Sequence, residues 1–211
     1  MKAILVALAA TMLATAGQAA TFMSSAGAPD PGAAAGETVL FDFNSVTPEL
    51  SGQFSLVTGT VGGAATPALD TTQYVAVPTL GLPSGTASLD LTGLPRQLKS
   101  FSFYWGSIDT YNSIALVGPG GVVFQTIAGG MLPPANGDQG AAATNRRVFV
   151  SLGAGETLNS INFNSSNIAF EFDDFAGSYV PEPQSWAMLV LGFGMIGAVT
   201  RRRAGPRSVT A

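Results

Sequence analysis

Between residues 38 and 175 the chain is cut into short runs in which apolar and polar residues alternate. Runs at 38–43, 53–58, 74–77, 86–91, 98–105, 113–117, 122–127, 147–152, 158–164 and 168–175 are separated by clusters of Gly, Pro, Asn, Asp and Ser. None sustains the roughly 3.6-residue period of an amphipathic helix. Phe101, Phe103 and Trp105 fall on one face of their run, with Ser102 and Tyr104 on the other, because successive strand side chains point to opposite sides. Gly118-Pro119-Gly120-Gly121 joins two runs and reads as a hairpin turn. A period of two with turn signals this dense predicts an all-β fold, a single antiparallel β-sandwich of jelly-roll type over 37–179. The longest gap, 129–145, holds Pro133-Pro134 and Asn136-Gly137 and is expected to be a mobile loop. Residues 20–36 are rich in Ala, Gly, Ser and Pro without periodicity, and are expected to be a disordered lead-in.

The two ends follow different rules. Lys2 precedes an apolar stretch at 3–16, and Gly17-Gln18-Ala19 offers small residues for cleavage, so 1–19 reads as a secretory signal peptide. At the other end an uncharged apolar segment, 186–200, runs into Arg201, Arg202 and Arg203. It is shorter than the roughly 20 residues that span a bilayer untilted. Interfacial Trp186 and snorkelling arginines compensate at small cost. A buried core helix would carry a polar face, and 187–199 has none. The segment is expected to be one transmembrane helix, with 204–211 as a cytoplasmic tail because clustered arginines resist translocation. Gly192, Gly194 and Gly197 match a dinucleotide-binding spacing. The chain ends 14 residues later without the strand or the acid that such a site needs.

Pro181-Glu182-Pro183, Trp186, Ala187, the Gly-Phe-Gly run and the arginine cluster together resemble the PEP-CTERM sorting domain of Gram-negative bacteria, in its PEPxxWA variant. The resemblance covers 180–203. It implies an exosortase-like processing enzyme as partner, cleavage near the proline pair, and an inner-membrane-anchored precursor destined for the cell surface or the extracellular space.

Composition excludes several chemistries. With no His and no Cys, Ser-His-Asp and Cys-His nucleophile systems cannot be assembled within the chain, nor can a thiolate metal site. From Ala20 to Pro183 there are 13 acidic and four basic residues, a net charge of −9. A surface of that sign disfavours nucleic acid. The expected function is a non-catalytic surface or matrix protein associated with exopolysaccharide. The alternatives are a lectin-like carbohydrate-binding module or a glycoside-active enzyme on the same anchor.

Two groups of residues are candidates for a site. Glu171 and Asp173 alternate with Phe170 and Phe172, and Asp174 follows. If first and last strands lie side by side, Asp42 comes near Asp173 and Asp174, and the three carboxylates could hold a structural Ca²⁺. The competing reading is an edge strand whose outward acids discourage pairing with other chains. Tyr104, Trp105 and Tyr111 could form a platform that stacks on sugar rings. Alternatively Trp105 is core and the tyrosines are half-buried strand residues.

Overall fold

The computed structural model describes residues 19–181 and 188–196. Two compact units divide at the end of the last strand, Met1–Ser178 and Tyr179–Ala211. Twelve strands make up the first: β1 (Thr21–Ala26), β2 (Thr38–Phe41), β3 (Leu50–Gly52), β4 (Ser55–Thr58), β5 (Gln73–Val77), β6 (Gly85–Asp90), β7 (Leu98–Gly106), β8 (Asn112–Val117), β9 (Val123–Ala128), β10 (Arg146–Ser151), β11 (Ser160–Ser165) and β12 (Phe170–Tyr179). They form a seven-stranded sheet ordered β1-β10-β7-β12-β5-β4, with β2 also on β12, and a five-stranded sheet ordered β3-β6-β11-β8-β9.

From β5 onward the chain crosses repeatedly between the sheets. It leaves β5, β7, β10 and β12 in the first sheet, and β6, β8, β9 and β11 in the second. The facing orders β10-β7-β12-β5 and β6-β11-β8-β9 are those of a jelly roll. Its first and last strands, β5 and β12, are neighbours with Val77 opposite Phe170. All ten alternating runs are strands. Gly118–Gly121 turns β8 into β9 through a short 3-10 segment, Pro119–Gly121.

The core lies between the sheets and is largely aromatic. Phe163 of β11 stacks on Phe172 of β12 at 3.9 Å between ring centres. Trp105 stacks on Phe170 at 4.3 Å, and Phe103 meets Phe163 edge-on at 5.6 Å. All five rings are fully buried. Offset and edge-to-face contacts of this kind add to the stabilisation from buried area.

Three expectations need correction. The lead-in at 20–36 contains β1, which pairs along its whole length with β10. Its remainder is held by a side chain, Asp30 Oδ2 accepting from Arg147 Nη1 at 2.6 Å, and Glu37 just beyond it accepts from Ser100 and Ser102. The alternation also missed β3, a three-residue edge strand on β6. The 129–145 segment is tied down rather than open. Asn136 bridges to Asp109, and Asn145 is fully buried, its Oδ1 accepting from Ala68 N at 2.9 Å and Ser107 N at 3.1 Å.

In the second unit the described residues include a helix at 188–196. No helix among the described residues is long and apolar enough to cross a membrane. The expected span at 186–200 extends beyond them on both sides, and the expected signal peptide lies outside them except for Ala19.

A fragment from Ala20 to Tyr179 is expected to fold without the tail and to give a strand-dominated circular dichroism spectrum. Phe163→Ala in it should lower unfolding free energy by about 3–5 kcal/mol in urea titration, through lost transfer energy and a residual cavity. A loss below about 1 kcal/mol would mean the inter-sheet stack is not as close as described.

Candidate functional site

Alternation along β12 sends Phe170 and Phe172 into the sandwich and Glu171 and Asp173 to the opposite face. That face would be wet in an uncovered sheet. Here the segments before β5 and before β10 fold across it, leaving Glu171 3% exposed and Asp173 2% exposed. The covering is close: a Cβ on Gly106, at the end of β7, would lie 2.9 Å from the Pro67 ring. The edge-strand reading of these acids therefore fails. β12 is interior to its sheet, and both carboxyls are buried.

Each acid serves as a hydrogen-bond acceptor for a crossing segment. Glu171 Oε1 accepts from Ala65 N and Oε2 from Ser107 Oγ, both at 3.0 Å. Asp173 Oδ2 accepts from Thr72 Oγ1 at 3.0 Å, and Oδ1 from Asp174 N at 2.8 Å. The Thr72 hydroxyl also approaches Asp70 Oδ1 at 2.6 Å. Burial is the main influence on both acids. It pushes Glu171 up to about 7 despite those hydrogen bonds. It pushes Asp173 up to about 8, with the charges of Asp174 and Asp70 and a hydrogen bond to Asp70 adding to the rise. Asp70 Oδ2 is itself buried with no other hydrogen-bond partner. Asp173, holding its proton, can donate to Asp70.

Arg147 is the cation of this face and is 1% exposed. Its guanidinium donates to Ser102 Oγ at 3.1 Å, Asp30 Oδ2 at 2.6 Å and the Asp174 carbonyl at 2.7 Å. Asp174 adopts a left-handed backbone, φ 51°, where the β12 register shifts beside β2. Burial raises its carboxyl and Arg147 opposes the rise.

The three acids expected to converge do not share one site. Asp42 is exposed and accepts from Asn44 N, whereas Asp173 turns to Thr72 and Asp70. Among the described residues there is no group of three or more His, Cys, Asp or Glu that could hold a metal ion. The aromatic platform is not formed either. Trp105 is fully buried between the sheets, and Tyr104 is buried on the other face, its hydroxyl donating to the carbonyls of Gly27 and Ala68. Tyr111 is half-buried and donates to the Ile168 carbonyl at 2.7 Å. Burial raises Tyr74, Tyr104 and Tyr111 above the ordinary phenol range. Of the sorting residues, Pro181 is described and exposed, while Glu182, Pro183, Trp186, Ala187 and Arg201 to Arg203 lie outside the described residues.

Sequence reasoning missed a cavity of about 270 Å³ over Glu171, walled by Thr60, Val61, Ala64, Gln139 and Ile168 among others. A second cavity of about 500 Å³ shares Thr60 and Gln139 with it. The acid at 171 was visible in the sequence. The loops that cover it come from around residues 60 and 139 and carry no local signal.

Residues 180–203 match the family model of the PEP-CTERM protein-sorting motif. The motif implies an exported, membrane-anchored precursor sorted by an exosortase-like enzyme. No curated protein matches the chain. Among solved structures it is similar to the enzymatically active domain of bacteriophage CBA120 tailspike protein 4, with TM-score 0.36 and 13% identity over 66% of this chain and 20% of that one. It is also similar to the family 11 carbohydrate-binding module of cellulosomal cellulase Lic26A-Cel5E of Clostridium thermocellum, with TM-score 0.32 and 17% identity over 70% of this chain and 96% of that one. The chain thus spans a fifth of the tailspike domain, and at this distance neither likeness transfers a ligand or an activity.

Glu171 and Asp173 hold their protons more tightly folded than unfolded. The folded state therefore binds more protons between the ordinary carboxyl range and about pH 8, and stability falls as pH rises through that window. Asp90, lowered by its hydrogen bonds from Thr92, acts only below the window. The melting temperature should drop by at least about 4 °C between about pH 4.5 and pH 8.5. Asp173→Asn, whose amide can donate permanently to Asp70, should flatten the drop and melt above the parent at the alkaline end. A melting temperature that climbs with pH across this window contradicts the assignment.

Proposed function

We propose that this is a non-catalytic cell-surface or extracellular-matrix protein that associates with exopolysaccharide after exosortase-type sorting. The observation that carries the reading is the junction at Tyr179. The jelly roll is complete when β12 ends there, and the sorting motif starts at the next residue. A self-contained domain is joined directly to a delivery signal, so cleavage within the motif releases or transfers the domain without cutting a strand. The surrounding chemistry supports a binding rather than a catalytic role. Glu171 and Asp173 lie on one strand, on one face, each held by crossing segments. Glycoside hydrolysis instead wants two carboxyls flanking a bond, roughly 5–9.5 Å apart across a cleft. A net charge of −9 between Ala20 and Pro183 favours neutral partners over nucleic acid. The cavity over Glu171 favours a second reading, a dedicated carbohydrate-binding module on the same signal.

A proline restricts its own φ and disfavours helix at the residue before it, so a Pro-Glu-Pro sequence favours the extended form that processing enzymes take up as substrate. In the producing cells the parent protein should lose its C-terminal segment and leave the membrane fraction. Glu182→Ala should keep full length and remain in the membrane, with an unchanged melting profile. Processed parent should also co-pellet with exopolysaccharide purified from the same cells. A parent that keeps its tail would make the motif a plain anchor, and a parent that stays in the supernatant would remove the polysaccharide association.

A further inference from the structure

Glu171 has an acceptor position to spare on each oxygen when ionised, because a carboxylate oxygen offers two and each here accepts one hydrogen bond. Its side chain closes one side of the 270 Å³ cavity, and Gln139 and Thr60, both exposed, stand on the other walls. Between them the lining is aliphatic side chains and backbone from Val61, Gly63, Ala64, Ala65, Ile168 and Ala169. No lysine or arginine lines this cavity or its neighbour. The 500 Å³ cavity, lined by Thr66, Ala68 and Leu69 among others, shares Thr60 and Gln139 with it. Together the two fall in the size range of small-molecule sites, roughly 300–1,000 Å³.

We infer that this pair of cavities is a saccharide site that seats a neutral hexose unit over Glu171 and the adjoining unit beside Leu69. The ligand class follows by elimination and by fit. An anionic sugar, phosphate or sulfate would meet a buried carboxyl, with Asp109 close enough to act on it, and no cation. A purely apolar ligand would cover that carboxyl without offering it a hydrogen bond, which costs free energy. A neutral sugar hydroxyl donates to Glu171, the Gln139 amide can both donate and accept, and Thr60 can do either. The C–H faces of the ring meet the alanine methyls. A site built to hydrogen-bond hydroxyls discriminates sharply against ligands lacking them.

This inference rests on the polysaccharide association proposed above, and its test separates the two. Processed protein from the producing cells is pelleted with their purified exopolysaccharide. It is also titrated calorimetrically with neutral gluco-, galacto- and manno-oligosaccharides, with oligogalacturonate and with glucosamine oligomers. Thr60→Trp places an indole in the mouth from an exposed position, so the core is untouched. Glu171→Gln keeps an acceptor for Ala65 N and offers a donor to Ser107 Oγ. Gln139→Ala removes the opposite wall's amide and serves if Glu171→Gln fails to fold. The parent should bind at least one neutral oligosaccharide and neither charged one. Thr60→Trp and Glu171→Gln should each weaken that binding by at least about tenfold and reduce pelleting in step. Parent-like binding by all three variants overturns the cavity as the site while the association stands. Tighter binding of glucosamine oligomers overturns the neutral-hexose assignment. A parent that does not pellet removes the association and the cavity's role together.

Discussion

Burial of the seven-stranded sheet on both faces is the constraint on which the rest of the domain depends. One face meets the other sheet through stacked aromatic rings, which needs only complementary shape. The other face is covered by crossing segments although its side chains are Ser102, Tyr104, Arg147, Glu171 and Asp173. Polar groups removed from water cost free energy unless each finds a partner. Arg147 is satisfied at three points, by Ser102, Asp30 and the Asp174 carbonyl. The partners sit on segments far apart in sequence, so meeting this one requirement holds the amino-terminal strap against β7 and β12. A buried ion pair of this kind is a weak source of net stability and a strong source of uniqueness, since few other chain arrangements would neutralise the guanidinium.

The alternation of apolar and polar residues was enough to locate ten of the twelve strands, and the density of turns to class them as a sandwich. It could not say whether the polar face of a strand is wet. Ser100, Ser102 and Tyr104 read the same whether they meet solvent or the backbone of Gly27 and the carboxyl of Glu37. For that reason the segment carrying Asp30 looked like a lead-in, and β1 looked like nothing: Thr21–Ala26 becomes a strand only because β10 offers it an edge. The candidate site divides along the same line. Glu171 and Asp173 stood out by parity with Phe170 and Phe172. Asp70 and the cavity walls did not, because proximity across about 100 residues leaves no trace in local spacing. Asp42, Asp173 and Asp174 looked convergent on the same grounds of strand adjacency. The strands adjoin as expected, with Phe175 opposite Phe41, yet the Asp42 side chain is exposed and the Asp173 side chain is buried.

Delivery and recognition are thus encoded in different ways. The sorting signal is linear: prolines, a tryptophan, an apolar run and arginines in fixed order, readable without a fold. The cavity over Glu171 is assembled from segments around residues 60, 139 and 171 and exists only in the folded domain.

The register of β7 against β12 has a geometric corollary. Ser100 meets Ser178 at one end of that pair, and Ser107 meets Glu171 at the other. Thr21 lies opposite Ser151, which lies opposite Ser100, so the start of β1 and the close of β12 are neighbours across the same rim of the sheet. At a strand rise of about 3.3 Å per residue, the Glu171 cavity sits roughly 23 Å from that rim. Entry and exit of the polypeptide are thus gathered at one pole of the barrel-shaped roll and the cavity at the other. Within the domain, the strand ends that carry the chain in and out are thus separated from the cavity by most of the length of β12.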